Sequence, residues 1–449
     1  MAEPLKVGLA GLGTVGAAVV DLIHHGRDKL IARCGRPIEI VAVTARNRGK
    51  ARRIDLKRFR WVTDPVALAR DPAIDVLVEV IGGAGDPAKR AVETALASGK
   101  PVVTANKALL ARHGQKLAAL AERHDVALNF EASVGGAIPI VKTLREGLNG
   151  NTLTRIYGIL NGTCNYMLSR MEQDRLGFAE CLRDAQRLGY AEANPAFDVE
   201  GHDTAQKLAI LASLAFGTKI DPGAIYVEGI SSITLADLDA AGELGYRIKL
   251  LGVAVKTEAG IEQRVHPTMV PKDSAIAQVM GITNAVTIDA EGLSPITLVG
   301  PGAGGMATAS AVVADLADIA RGVRTPPLGR PAARMTAIRK APMQHHEGGY
   351  YIRLLARDRP GTAATIARRL AQQNISLESI VQRHGPASRT VARGASGGRG
   401  DRAGRSGEPV PVIMITYATG EDAVRRALAA VRRDRVVSGR PQVIRIEKN

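Results

Sequence analysis

Lys6-Val7-Gly8-Leu9-Ala10-Gly11-Leu12-Gly13-Thr14-Val15-Gly16 decides how this chain begins to fold. Lys6–Ala10 reads as a strand, and the apolar stretch Gly13–His25 reads as the helix after it. A GxGxxG run is a weak signal alone and a much stronger one between a first strand and its helix. Gly11 permits the tight turn, Gly13 lets the backbone approach a pyrophosphate, and Gly16 lets helix and strand pack closely. Thr14 and Val15 begin the helix, whose N-terminus offers free N–H groups to phosphate.

Working outward, strand-like runs recur at Glu39–Thr44, Asp75–Ile81, Pro101–Thr104 and Ala127–Phe130. Helical stretches lie between them, notably Pro87–Ser98 and Leu109–His124. Such alternation predicts a parallel sheet with helices on both faces, a Rossmann-type α/β domain over residues 1–135. The second strand of such domains ends in an acid when the ligand is NAD. Here it ends Val43-Thr44-Ala45-Arg46-Asn47-Arg48-Gly49-Lys50, with cations and no acid. A 2′-phosphate would suit Arg46, so NADP is expected over NAD. The alternative is that these are loop arginines and NAD is accepted as well.

Residues 136–304 change character. Leu153–Leu160, Ile248–Val255, Ile261–Val265, Ala285–Ile288 and Pro295–Val299 read as strands, and Phe178–Leu188 and Thr204–Phe216 as helices. An α+β domain with an open mixed sheet, helices on one face, is expected. A second glycine cluster, Gly302-Ala303-Gly304-Gly305, precedes a helix over Ala307–Arg321 that should return to the first domain, completing it with residues 305–322. Residues 323–349 read as a linker. Residues 350–449 follow a βαββαβ order. The Gly/Arg/Ser-rich stretch 385–408 cannot bury a core and is expected to be a disordered loop.

The 449 residues imply two or three domains. A net charge of +16 raises the question of a polyanionic partner. Much of the excess is arginine in the last 64 residues, and aromatics are only 3%, so solvated arginines are expected and no nucleic acid. Cys34, Cys164 and Cys181 form neither a metal spacing nor a disulfide framework, which fits a reducing cytoplasm. No leader-like segment or 18-residue apolar run is present, so no membrane partner is expected.

The chemistry concentrates at Ala185–Lys207, which contains Gly189-Tyr190-Ala191-Glu192-Ala193-Asn194-Pro195 and then Asp198, Glu200, Asp203 and Lys207. Asp203 and Lys207 are four apart and share a helix face. The helix is otherwise mostly apolar, so the pair is expected to be buried. Burying it is costly unless its members are paired or put to use. Lys107, in Thr104-Ala105-Asn106-Lys107, follows a strand at the carboxyl edge of the sheet, where such folds bind ligands. Glu131 and the irregular turn Val134-Gly135-Gly136-Ala137-Ile138-Pro139 could offer oxygen atoms to a hard cation, or form a hinge between domains. His24, His113 and His202 are expected to be structural.

These motifs, with Asn161-Gly162-Thr163-Cys164-Asn165 and Gly302-Ala303-Gly304, make the chain similar to the homoserine dehydrogenases. The tail resembles an ACT ligand-binding domain, through Arg357-Asp358-Arg359-Pro360-Gly361 and Asn374-Ile375-Ser376. The resemblance is to the monofunctional form, since no aspartokinase portion precedes residue 1. It implies reversible NAD(P)-dependent interconversion of L-homoserine and L-aspartate 4-semialdehyde, supplying threonine, methionine and isoleucine synthesis. It implies Lys207 as proton donor and acceptor and Lys107 at nicotinamide and substrate. Glu192, Asp198 and Asp203 would bind homoserine. Gly11, Gly13, Thr14, Val15, Gly16, Arg46, Lys107, Gly302 and Gly304 would hold the dinucleotide. A sodium ion would sit at Glu131, Val134, Gly136 and Ile138. A homodimer or homotetramer and a threonine effector are further implications. The rivals are a semialdehyde dehydrogenase using Cys164 and a non-catalytic amino-acid sensor with a vestigial nucleotide fold.

Overall fold

The computed structural model describes residues 2–50, 54–341, 347–382 and 409–447. Six parallel strands form the first sheet: β1 (Leu5–Ala10), β2 (Ile38–Thr44), β3 (Arg60–Trp61), β4 (Val76–Glu79), β5 (Val102–Thr104) and β6 (Leu128–Asn129). Their order is β3-β2-β1-β4-β5-β6, the doubly wound dinucleotide-binding order that reverses beside β1. β4 is wholly buried because helices cover both faces, so its run of Val and Leu has no polar alternation. The short strand β3 and the helix Pro65–Arg70 were not foreseen. Both are too short to carry a clear period.

The helix Gly305–Ala320 does return to this domain. Its Ala309, Val312 and Leu316 share one buried cluster with Val7, Leu9, Val19 and Val20. Gly305 permits the approach: a Cβ there would lie 2.9 Å from the Thr14 side chain.

The second sheet contains β7 (Leu153–Ile159), β8 (Tyr226–Val227), β9 (Tyr246–Thr257), β10 (Gly260–Pro271), β11 (Thr283–Ala290) and β12 (Ile296–Pro301). Its main path is β12-β11-β7-β9-β10, antiparallel throughout, while β8 lies parallel on β10. β10 is more than twice as long as the expected Ile261–Val265. It carries the buried residues Glu262, Arg264, His266 and Thr268, which hide it from an apolar pattern. They are tolerated because they bond one another: Arg264 pairs with Glu262 and donates through Nε to His266. The helix His202–Phe216 covers the sheet, with Thr204 and Leu208 against Gly252 of β9. The helices Gly162–Asp174 and Leu235–Glu243 were also unforeseen.

The tail contributes β13 (Glu347–Arg357), β14 (Leu377–Gln382), β15 (Pro409–Thr416), β16 (Thr419–Gly420) and β17 (Val437–Ile446), with helices Thr362–Ala371 and Glu421–Arg433. The order β17-β13-β15-β14 is that of a split βαββαβ unit. It does not stand apart. β17 pairs in parallel with β10, Thr268 opposite Arg445 and Met269 opposite Ile446, so the two modules share one continuous sheet. Arg353 reinforces the junction with a buried pair to Asp237 at 2.7 Å. The expected linker is likewise pinned: Lys219 N donates to Thr336 O at 2.8 Å and Ile261 N to Arg339 O at 2.8 Å. The expected disordered loop 385–408 lies outside the described residues.

Candidate active site

Four elements meet at the carboxyl edge of the first sheet. After β5 the helix Lys107–Arg123 begins at Lys107 and is capped by Asn106, whose Oδ1 accepts from Leu109 N at 3.1 Å. The helix His202–Phe216 carries Asp203 and Lys207. The end of β7 supplies Leu160 and Asn161, and the glycine cluster before the returning helix supplies Gly302–Gly304. Lys107, Lys207 and Gly302–Gly304, with Val15, Gly82 and Gly136, line a cavity of about 320 Å³.

Asp203 is the hub. Its Oδ2 accepts from Lys207 Nζ at 2.7 Å and from Asn161 Nδ2 at 2.9 Å. Its Oδ1 faces Lys107 Nζ at 3.1 Å. Lys207 Nζ also donates to the Leu160 carbonyl at 2.7 Å. Burial alone would raise the Asp203 carboxyl. Lys207 and Lys107, with hydrogen bonds from Lys207 and Asn161, outweigh that and hold it down at about 2. Asp198 is half-buried and accepts from Asn161 Nδ2 at 2.8 Å; burial raises its carboxyl. Asn161 therefore spaces two carboxylates, and its Oδ1 caps its own helix at Cys164 N, 2.8 Å.

Glu192 is not brought into this network. It is exposed, and its backbone carbonyl accepts from Gln186 at 3.0 Å. It lies on the turn before the Asp198 helix, a position that leaves its side chain in solvent. Cys164 is buried and donates its thiol to Asp198 O at 3.2 Å. Burial, with Asp198 and Asp203 alongside, pushes that thiol far above its ordinary range. Such a group is no thiolate nucleophile, which removes the footing of a cysteine-dependent semialdehyde dehydrogenase.

The three glycines of the fingerprint differ in what surrounds them. Gly11 has φ +110°, and a Cβ there would lie 2.6 Å from Val80 O. A Cβ at Gly16 would lie 2.0 Å from Gly11 O. Gly13 has nothing within 4 Å. Gly11 and Gly16 are thus closed by the protein's own backbone, and Gly13 leaves an open cradle at the helix N-terminus that fits a dinucleotide pyrophosphate. Gly302 and Gly304 face the same cavity. Arg46 is exposed just past β2, as are Arg48 and Lys50.

The Glu131 carboxylate is turned onto main-chain N–H groups. Its Oε1 accepts from Val141 N and its Oε2 from Lys142 N, both at 2.8 Å. What remains are main-chain carbonyls on a turn with left-handed Gly135 and Gly136. The Ile138 carbonyl already accepts from Ile140 N at 2.8 Å. No donor among the described residues reaches those of Val134 and Gly136. A sodium ion would fit a set of carbonyls here, with Glu131 contributing only its backbone oxygen.

One residue that supports the cavity was missed. Glu79 ends β4 fully buried, accepting from Thr104 Oγ1 at 2.6 Å, Ile81 N at 2.8 Å and Gly82 N at 3.1 Å. It anchors both loops that carry the cavity wall and Lys107. The signal was present: an acid closing the run Val76-Leu77-Val78-Glu79 has no reason to be there unless bonded.

The sequence matches the homoserine dehydrogenase NAD-binding domain model over residues 11–131, the homoserine dehydrogenase model over 139–317 and the ACT domain model over 350–391. It is 43% identical over 435 residues to a homoserine dehydrogenase of Neisseria gonorrhoeae, covering 96% of this chain and 95% of that one. The chain belongs to the homoserine dehydrogenase family. A homoserine dehydrogenase of Pseudomonas aeruginosa is 41% identical, covering 99% of both chains. The crystal structure of one from Thiobacillus denitrificans superposes with a TM-score of 0.89 at 41% identity, covering 99% of this chain and 98% of that one. A hyperthermophilic archaeal homoserine dehydrogenase in complex with NADPH does so at 0.62 and 25% identity, covering 72% and 99%. This homoserine dehydrogenase is therefore an NAD(P)-dependent oxidoreductase of amino-acid biosynthesis, interconverting L-homoserine and L-aspartate 4-semialdehyde. A non-catalytic sensor is not favoured. No helix of the described residues is long and apolar enough to cross a membrane.

Proposed function

We propose that Lys207 moves the proton of the reaction and that Asp203 positions it. The observation that supports this is the chain Lys207–Asp203–Lys107 at 2.7 and 3.1 Å, buried at Asp203 and Lys207 and opening through both lysines on the cavity beside Gly302–Gly304. A bound nicotinamide dinucleotide would supply the hydride acceptor or donor. In the oxidative direction the amine form of Lys207 accepts the proton of the homoserine hydroxyl as C–H cleavage makes the carbonyl. In the reductive direction its ammonium returns that proton to the developing alkoxide, neutralising charge where it forms. Lys107, a third exposed, faces both substrate and nicotinamide positions and stabilises the same oxygen. Asp198 and Asp203 attract the substrate ammonium, and Glu192 joins them only if its turn closes over bound substrate.

NADP is the preferred dinucleotide, with Arg46 receiving the 2′-phosphate; the NADPH held by the archaeal relative agrees with this. The carbonyls of Val134, Gly136 and Ile138, with that of Glu131, hold a sodium ion that stiffens the turn between domains. The enzyme works in the cytoplasm as a homodimer or homotetramer, supplies threonine, methionine and isoleucine synthesis, and is inhibited by threonine. The test is homoserine-dependent reduction of NADP+, repeated with NAD+ and with Lys207→Ala. Loss of general acid–base catalysis should lower turnover by about 10²–10⁴-fold. Dinucleotide affinity, read by calorimetry, should persist. Unchanged turnover removes Lys207 from its role.

A further inference from the structure

Among the described residues, Lys107 and Lys207 are the only charged side chains that line the active-site cavity. The anion beside them, Asp203, is shared between the two at 3.1 and 2.7 Å. An oxidised nicotinamide ring is itself a cation, whereas the reduced ring is neutral. A wall whose only charges are ammonium groups would therefore favour the reduced ring and oppose the oxidised one.

A second anion stands behind this wall. Glu79 closes β4 in register with Ala10 of β1 and Thr104 of β5. The strand order reverses there, and such sheets seat a dinucleotide at that point. One Glu79 oxygen accepts from Ile81 N at 2.8 Å and Gly82 N at 3.1 Å, and the other from Thr104 Oγ1 at 2.6 Å. Ile81 and Gly82 are themselves cavity wall, as are Ala105–Lys107 just beyond Thr104. The carboxylate is thus bonded to the main chain of residues that a ligand would touch.

Its charge has no partner of opposite sign. Glu79 is fully buried and forms no ion pair with another described residue. The other buried acids of the described residues do have a cation. Each is in an ion pair except Glu131, which lies in the field of Lys142 and Arg145. Neutral donors hold the Glu79 carboxylate in place, but they leave a net negative charge beside the cavity, at a cost that a purely structural brace would not need.

We propose that Glu79 sets the oxidation-state preference of the dinucleotide site, its buried charge favouring the cationic oxidised ring over the neutral reduced one. It offsets Lys107 and Lys207, so that the enzyme can hold the dinucleotide needed for either direction of the reaction. Glu79 exchanges no proton and touches no reacting atom; it acts through its field. That field reaches the ring only if this cavity seats the nicotinamide, as proposed above.

The test measures dinucleotide binding by the full-length enzyme, NADP+ by calorimetry and NADPH by its fluorescence, repeated with NAD+ and NADH. Two variants separate charge from scaffold. Glu79→Gln keeps the shape and removes the charge; Glu79→Asp keeps the charge and draws it back from its donors. A full charge about 8 Å from the ring, at an effective dielectric constant of about 20, changes a binding constant by about tenfold or more. Glu79→Gln should therefore weaken binding of the oxidised form about tenfold more than that of the reduced form. Glu79→Asp should change both alike. A ratio that Glu79→Gln leaves unmoved, or that Glu79→Asp moves as far, overturns the proposal and leaves Glu79 a brace for two loops. If Glu79→Gln does not fold, the parent decides. It should not prefer the reduced form by more than about tenfold, and a stronger preference overturns the role of the charge. A parent that binds neither form overturns the reading of the cavity, and the proposal with it.

Discussion

Asp203→Asn removes one charge, keeps the shape, and leaves two lysines without their shared anion. The ordinary aspartate carboxyl titrates near 3.8 and this one at about 2. A depression of just under two pH units corresponds to about 2 kcal/mol of folding stability at neutral pH. Breaking a buried pair outright costs about 3–5 kcal/mol. Lys107 is a third exposed and can be resolvated, so the lower figure is the better expectation. The sign of the pH dependence follows. A carboxyl lowered on folding contributes its full stability above the unfolded value near 3.8, and the contribution is lost as pH falls through about 2. The gap between parent and variant should thus be widest at neutral pH and close in acid.

The catalytic effect should be larger than the stability effect. An asparagine can accept from Lys207 and Asn161 through its oxygen, but its NH₂ then meets Lys107, a donor at 3.1 Å. Lys207 loses the group that aims it, and kcat should fall by about a hundredfold or more. The dinucleotide affinity should hold, because Gly11–Gly16 lie on another element. The assay is steady-state homoserine oxidation with calorimetric dinucleotide binding and urea unfolding of both proteins. A variant that turns over within about twofold of the parent would refute the positioning argument. A variant as stable as the parent at neutral pH would refute the electrostatic one.

Other expectations follow from single contacts. Gly16→Val should lower the thermal midpoint, because its Cβ would collide with Gly11 O, whereas Gly13→Val should leave the midpoint alone and weaken dinucleotide binding by about tenfold or more; equal effects at both positions would contradict the division of roles. Arg46→Ala should raise KM for NADP+ by about tenfold and leave that for NAD+ unchanged, the loss of one charge-assisted contact, and a parallel change for both would place Arg46 off the 2′-phosphate. Burial pushes the Asp315 carboxyl up to about 7, with Oδ1 unpartnered by hydrogen bonds among the described residues. A carboxyl raised on folding stabilises below its unfolded value and loses that contribution as pH rises to about 7, so Asp315→Asn should gain on the parent between about pH 4 and 7 in urea unfolding; a constant gap would refute it.

The parts of the fold that could be read from the chain are those written in local pattern. The glycine spacing 11-13-16 encodes a steric requirement within six residues, and the protein's own backbone imposes it at Gly11 and Gly16. Asp203 and Lys207 could be paired because a helix brings residues four apart together, and an apolar helix around them announces burial. The continuous sheet could not be read this way. β10 and β17 pair through residues near 268 and 445, and no periodicity in either strand specifies a partner so distant. β10 was itself half hidden, since Glu262, Arg264 and His266 look like surface residues until their mutual bonds are seen.

Glu131 shows a different limit, in which the sequence names the residue without saying which of its oxygens is engaged by the protein itself. A carboxylate before a glycine-rich turn has two plausible employers, a cation or a set of main-chain N–H groups. Sequence order favours the first, because the carbonyls of Val134 and Gly136 are nearest in the chain. Geometry favours the second. The turn reverses direction through the left-handed Gly135 and Gly136 and delivers the N–H groups of Val141 and Lys142 onto the Glu131 oxygens at 2.8 Å. Two charge-assisted bonds to groups that would otherwise be orphaned at the start of a helix are worth more than a single ligand bond to a weakly held monovalent ion. The carboxylate therefore builds the turn, and any cation must be held by the carbonyls that the turn exposes. Glu131→Gln should accordingly damage the fold at any sodium concentration, because its amide has only one oxygen for two donors.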